Sequence, residues 1–222
     1  MNESRALLLI ADIGGYTRYM SLHRLSLAHA QANVARLLKA VIKAARGLEL
    51  VEIEGDAVFL SRPAESDPGQ AATQAARVMH RAFHFEKARI VQNLCPCEGC
   101  NSTGELTLKF VAHVGPVAVQ KVNRRKTLVG PDVILVHRLL KNSVPIPEYV
   151  LFSEDLYSGG DATRLEHELE GLGPVQTYFV PLEPVPDAVA EQSLPARLGE
   201  TLGVIGRGLP YLVGLKRSAA AH

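Results

Sequence analysis

Apolar and polar positions alternate along the chain in two rhythms, one of strands and one of helices. Residues 6–13, ALLLIADI, are a short apolar run that reads as a buried strand, closed by Asp12 and then by the loop formers Gly14 and Gly15. After that turn, Leu27, Val34, Leu37, Leu38, Val41 and Ile42 recur at helical spacing, and Gly47 stops the pattern as a C-terminal cap would. LELVEI and AVFL flank a tight turn at Glu54 to Asp56, which predicts a hairpin with Asp56 on its tip. The breakers RPAESDPGQ lead to a second helix over 71–92 and then to CPCEGC. Alternation returns over 106–122, read as a hairpin turning near Val114 to Pro116, followed by a basic turn at Asn123 to Lys126. A helix is expected from about Pro131, where a proline in the first turn sacrifices no hydrogen bond. Strand-like YVLFS, a helix-prone EDLYSG and a closing segment over 167–182 complete the pattern.

Helices and hairpins in this order predict an α+β domain with a largely antiparallel sheet and helices packed on one face. It spans 1–182 and carries a Cys-rich insertion at 91–104. The tail, 183–222, is apolar but strewn with glycine and proline, which disfavour a stable helix. It reads as a loose segment, as one packed on the domain or on a partner subunit, or as a membrane-surface helix.

Composition narrows the classes. The 222 residues carry 24 Lys and Arg against 23 Asp and Glu, so no net field draws the chain to nucleic acid or anionic lipid. No run reaches the roughly 18 to 20 apolar residues of a membrane span, and the N-terminus lacks a basic flank and cleavage site. A cytoplasmic location is the expectation. All three cysteines lie within residues 95–100, an odd cluster unlike a secreted disulfide framework.

The chemistry starts from Asp12 at the end of a buried strand. If its strand neighbours the hairpin carrying Asp56, the two carboxylates converge, repel and resist desolvation unless a cation lies between them. Hard oxygen ligands favour Mg²⁺ or Mn²⁺, and the backbone N–H groups of Gly14, Gly15, Tyr16 and Thr17 offer a place for phosphate oxygens. The competing reading makes Asp12 a plain helix cap.

The order of motifs resembles the class III adenylate and guanylate cyclase catalytic domain. ADIGGYT (11–17) is similar to that family's first metal motif, and VEIEGDAVF (51–59) to its second. FVAHVGPVAVQKV (110–122), VGPDVILVHRL (129–139) and LEGLGPVQTYFV (169–180) resemble the following hairpin, the start of the transition-state helix and the closing hairpin. The resemblance implies a ferredoxin-like cyclase fold in which Asp12 and Asp56 hold the metal ions. It places Lys109 where the family has a phosphate-binding Arg, Arg138 at the transition-state Arg, and Glu52 and Thr127 at the base-selecting pair. It also implies a nucleoside triphosphate substrate and a head-to-tail homodimer with composite sites.

The pattern breaks at two places. Ile134 stands where the family has a ribose-orienting Asn, and Glu170-Gly171-Leu172-Gly173 replaces a Lys-Gly-Lys-Gly turn. Lys121, Arg124, Arg125 and Lys126 are nearby basic residues that either compensate or form solvated surface. Two functions therefore stand: a metal-dependent nucleotidyl cyclase with an eroded transition-state half, or a degenerate cyclase-fold module that binds a nucleotide or phosphate ligand and signals without turnover.

Cys95, Cys97 and Cys100 offer three thiols after a helix that puts His80 and His84 on one face. With one histidine or a partner-chain residue they would make a tetrahedral Zn²⁺ site. Redox-active thiols and plain loop cysteines are the alternatives. His113 reads as a packing or turn residue, and His23, His29, His137 and His167 join no evident cluster.

Overall fold

The structure is a computed structural model that describes residues 3–21, 24–123, 125–157, 159–185 and 193–212. In chain order the elements are β1 (Glu3–Gly14), α1 (Tyr16–Met20), α2 (Arg24–Ala44), β2 (Glu49–Glu54), β3 (Ala57–Pro63) and α3 (Pro68–Val91). There follow α4 (Glu98–Asn101), a 3₁₀ turn (Ser102–Glu105), β4 (Thr107–Val122), β5 (Arg125–Val129) and α5 (Pro131–Arg138). β6 (Tyr149–Ser153), β7 (Thr163–Leu169), β8 (Gly173–Pro181) and α6 (Leu194–Leu212) complete the described chain. One sheet has the order β2-β3-β1-β4-β6-β8-β7, with β5 on β4. Only β4 and β6 pair in parallel, so the α+β class with a mostly antiparallel sheet is what the chain adopts.

Side chains of a strand point alternately to the two faces of its sheet, and β1 is apolar on both. Leu7, Leu9, Ala11 and Ile13 pack under α2 and α3, against Leu37, Val41, Met79 and Phe83. Ala6, Leu8 and Ile10 face the other way, against Val136 and Leu139 at α5. Double coverage explains why the β1 run is continuous rather than alternating. The expectation of helices on one face holds for α2 and α3, while α5 occupies the opposite face. α3 starts where the sequence provides both a cap and a first-turn proline: Asp67 Oδ1 accepts from Gln70 N at 2.9 Å, and Pro68 follows it.

Three local expectations are corrected. Residues 107–122 form one strand, and the chain reverses only at Asn123, whose φ of 55° places it in the left-handed region favoured by turn asparagines. Pro116 is tolerated because it lies between the stretch of β4 paired with β6 (110–112) and that paired with β5 (118–122), where that edge of the strand is free. The first helical stretch is two helices, α1 and α2, and within EDLYSG residues 154–156 form a turn rather than the start of a helix. Arg124, one of the basic turn residues, lies outside the described residues.

The tail contains a helix that docks on the domain. Glu200 of α6 pairs with Arg36 of α2 at 2.9 Å and with Arg89 of α3, Arg197 Nε donates to Gln92 O at 2.7 Å, and Leu94 N donates to Thr201 Oγ1 at 2.9 Å. These tertiary bonds outweigh the poor helix propensity of its glycines. Of 183–222, residues 186–192 and 213–222 lie outside the described residues. No helix among the described residues is long and apolar enough to cross a membrane.

Gly115 marks a close approach. A Cβ there would fall 2.1 Å from Asp132 Oδ1 and 2.8 Å from His113 Nε2, two atoms that are themselves bonded at 2.7 Å. Overpacking of this kind costs about 1 to 3 kcal/mol. Gly115→Ala is expected to lower the melting temperature by about 2 to 10 °C in a thermal denaturation experiment.

Candidate functional site

Strand register builds the site. β1 lies between β3 and β4, so that Asp12 stands opposite Ala57 on one side and Lys109 on the other. Asp56 is the turn residue immediately before β3, and its carbonyl accepts from Ile13 N at 3.2 Å, which pins the hairpin tip beside the end of β1. Lys109 Nζ lies 3.2 Å from Asp12 Oδ2 and donates to Leu140 O, also at 3.2 Å. The structure thus brings Asp12, Asp56 and Lys109 to one edge. The helix-cap reading of Asp12 is excluded, because the residue capping α1 is Gly15, and Asp12 sits inside β1.

The electrostatics of this edge are those of crowded carboxylates. Burial raises the Asp12 carboxyl above its ordinary value, and the charge and hydrogen bond of Lys109 pull it part of the way back. Burial likewise raises Asp56, and the neighbouring Asp12 charge raises it further, against its own backbone hydrogen bond and Lys109. Burial raises the hydroxyl of Tyr16, with Asp56 as the second cause. Tyr149 is raised by burial too; its hydrogen bond to Asn142 opposes the shift and Asp12 adds to it. Both tyrosines therefore border the acidic pair. With both carboxylates ionised, Lys109 balances only one negative charge. That donor set, two hard oxygen groups with charge to spare, suits a Mg²⁺ or Mn²⁺ ion.

The loop after Asp12 is tight. Gly15 takes φ 83°, and a Cβ on Gly14 would fall 2.2 Å from Thr107 Oγ1. Thr17 lies in α1, a helix of five residues. Glu52 is exposed on β2, opposite Phe59, and Thr127 opposes Gln120 on β5, which approaches β2.

Arg138 is not part of the Asp12 edge. Its Nη1 lies 3.3 Å from Glu170 Oε2, in a groove of about 660 Å³ that also includes Ile134, His137 and Lys141. Ile134 is 53% exposed there and donates no side-chain hydrogen bond. His113, fully buried, is held between Ser153 Oγ and Asp132 Oδ1, each at 2.7 Å, which is the packing role expected of it.

Two clusters depart from the sequence reading. His80 and His84 do not approach the cysteines; both bond Glu148, at 3.1 and 2.8 Å, and Glu148 also accepts from Leu108 N. Burial opposes ionisation of Glu148, but these bonds and the His84 charge prevail and hold it well below the usual carboxylate range. The histidine that does reach Cys95, Cys97 and Cys100 is His29 on α2. Neither Glu148 nor His29 carries a local sequence signal, since the histidines that bond Glu148 and the cysteines that meet His29 are more than sixty residues distant.

Comparison with known proteins places this geometry. Residues 34–149 match the family described as "Protein of unknown function (DUF2652)", and the chain belongs to that family. The "Uncharacterized protein Rv2561/Rv2562" of Mycobacterium tuberculosis is 37% identical over 196 residues, covering 84% of this chain and 92% of the relative. Among solved structures, the adenylyl cyclase CyaB from P. aeruginosa superposes with a TM-score of 0.59 at 18% identity, over 84% of this chain and 97% of that one. The guanylate cyclase domain of RhGC from Catenaria anguillulae, in complex with GTP, gives 0.56 at 20% identity, over 83% and 100%. Identities this low establish a cyclase-like fold and nothing about turnover.

A carboxyl raised by folding stabilises the chain only while protonated. That contribution is complete below the unfolded value near 3.9 and is lost as pH rises through the higher folded value. At neutral pH the ionised pair therefore opposes folding of the metal-free chain. Asp56→Asn is expected to raise the metal-free melting temperature at pH 7 by roughly 1 to 2 °C, after allowance for solvent screening, with the gain vanishing below about pH 4. Paired thermal scans at the two pH values check it.

Proposed function

We propose that the chain is a nucleotidyl cyclase-like protein that binds a nucleoside triphosphate with Mg²⁺ or Mn²⁺ at the Asp12, Asp56 and Lys109 edge. In this reading it forms a 3′,5′-cyclic nucleotide and pyrophosphate at a slow rate. The observation that carries the reading is the convergence of two mutually repelling carboxylates and one ammonium at the end of β1. Bound metal would supply positive charge to the triphosphate and make the ribose 3′-hydroxyl easier to deprotonate. Asp12 and Asp56 are its ligands, and Lys109 is placed to bond a phosphate oxygen as a point charge rather than a fork. Glu52 can accept from the N1 and 2-amino donors of guanine, and Thr127 can donate or accept, so the base reading leans to guanine. GTP is also what the similar guanylate cyclase domain from Catenaria anguillulae holds.

The second half of the site comes, in this proposal, from another copy in a head-to-tail dimer, through Arg138. That half lacks donors. Ile134 offers none, and Glu170 engages Arg138 where a basic residue would assist the phosphates. Each lost donor costs about 2.7 to 4 kcal/mol, so the pair slows chemistry by roughly four to six powers of ten. The Arg138 to Glu170 pair also favours a second reading, in which the module binds nucleotide and signals without turnover.

The test is to incubate the full chain with each of the four ribonucleoside triphosphates and Mn²⁺ and analyse products by mass spectrometry. Slow formation of one cyclic nucleotide, abolished in Asp12→Asn and accelerated about a hundredfold or more in Ile134→Asn, is the expected result. Saturable binding without any cyclic product would select the second reading. Neither binding nor product would reject both.

A further inference from the structure

Four metal-ligating side chains that no step of the proposed chemistry uses meet beside α2. His29 Nδ1 lies 3.2 Å from Cys97 Sγ, 3.5 Å from Cys95 Sγ and 4.0 Å from Cys100 Sγ, and all four ligand atoms are within 4.8 Å of one another. A tetrahedral Zn²⁺ with Zn–S near 2.3 Å and Zn–N near 2.05 Å requires S···N edges of about 3.6 Å and S···S edges of about 3.8 Å. The three observed N···S distances bracket the 3.6 Å edge, and no two of the four ligand atoms are more than 4.8 Å apart. All three cysteines are free thiols; Cys95 and Cys100 are buried and Cys97 is half-buried.

We propose that His29, Cys95, Cys97 and Cys100 form a structural Cys₃His zinc site that fastens the 92–106 segment to α2. Soft thiolates with one imidazole in a closed tetrahedron select Zn²⁺ over the hard cations that suit the Asp12 edge. Each thiol gives up its proton to solvent on binding, so three protons leave per ion and the filled site carries one net negative charge. Burial, then the hydrogen bond with Cys95, pushes the Cys97 thiol up to about 12, and burial raises that of Cys100.

The surroundings are those of ligands held in place from behind. The side-chain amide nitrogen of Asn33, fully buried on α2, is within hydrogen-bonding distance of Cys100 Sγ at 3.8 Å, Gly99 O at 3.3 Å and Thr103 Oγ1 at 3.1 Å, acceptors that share its two hydrogens. An N–H directed at a thiolate disperses its charge and fixes its orientation. Tyr19 of α1 donates to Gly99 O and shares a 2.8 Å hydrogen bond with Thr103 Oγ1. The site therefore ties together α1, α2 and the segment between α3 and β4. This inference stands on its own geometry and is independent of whether the chain turns over nucleotide.

The test is metal analysis of the full chain, purified without chelator or polyhistidine tag and kept reduced, with X-ray absorption at the zinc edge. About one zinc per chain, with three sulfur neighbours near 2.3 Å and one nitrogen near 2.0 Å, is expected. Zinc content should fall at least tenfold in Cys97→Ser and in His29→Ala but stay at one equivalent in His84→Ala. Wild-type protein that takes up no zinc when it is supplied, or whose zinc has only nitrogen and oxygen neighbours, would overturn the proposal even if the variants fail to fold. So would zinc retained in His29→Ala and lost in His84→Ala.

Discussion

The arrangement depends on one register: β1 held between β3 and β4 with Asp12 opposite both Ala57 and Lys109. That pairing puts two carboxylates and an ammonium at the same end of the sheet. A shift of one residue would turn Asp12 to the other face, among Leu37, Val41 and Phe83, where an ionised carboxylate has no partner. Burial of β1 on both faces is what makes such a slip costly. The hydrophobic core and the acidic edge are therefore one design: the core fixes the register, and the register forces like charges together.

The other half of the cyclase-like surface is built differently. α5 is anchored by Val136 and Leu139 on the face opposite α2 and α3, and its exposed side presents Ile134, His137 and Arg138. His137 reaches Glu54 at 3.4 Å and Arg138 reaches Glu170, so acids near this groove already engage two of its basic side chains. Exposed pairs of this kind contribute little to stability. Their consequence is electrostatic, because they reduce the positive charge available to a phosphate. The contrast between a complete acidic edge and a donor-poor groove is the physical basis for slow rather than efficient chemistry in the function proposed above.

Much of this was legible in the sequence where the signal is local. The apolar run of β1, the turn at Asp56 and the α5 start at Pro131 follow from periodicity and turn residues alone, whereas the closing hairpin was legible only through its resemblance to the cyclase motif. Lys109 and Arg138 were legible only through the order of cyclase-like motifs, since neither stands out by spacing. Gly115-Pro116 misled because glycine and proline signal a turn, whereas here they lie at a free stretch of a strand edge. The α6 helix was hidden because its stability comes from Arg36, Arg89 and Gln92, residues contributed by other elements. His29 illustrates the general limit: CPCEGC announces a ligand cluster, but its fourth member is chosen by how α2 packs against the loop after α3, which no local pattern encodes.

The central claim is that Asp12 and Asp56 together form a divalent-cation site. Electron paramagnetic resonance of Mn²⁺ titrated into the full chain with a non-cyclisable nucleoside triphosphate analogue tests it directly, read against the same titration without protein. Saturable uptake of Mn²⁺ by the wild type, lost in both Asp12→Asn and Asp56→Asn while the folded state is retained, is the predicted result. Uptake that is unchanged in both variants, or absent in the wild type, would contradict it.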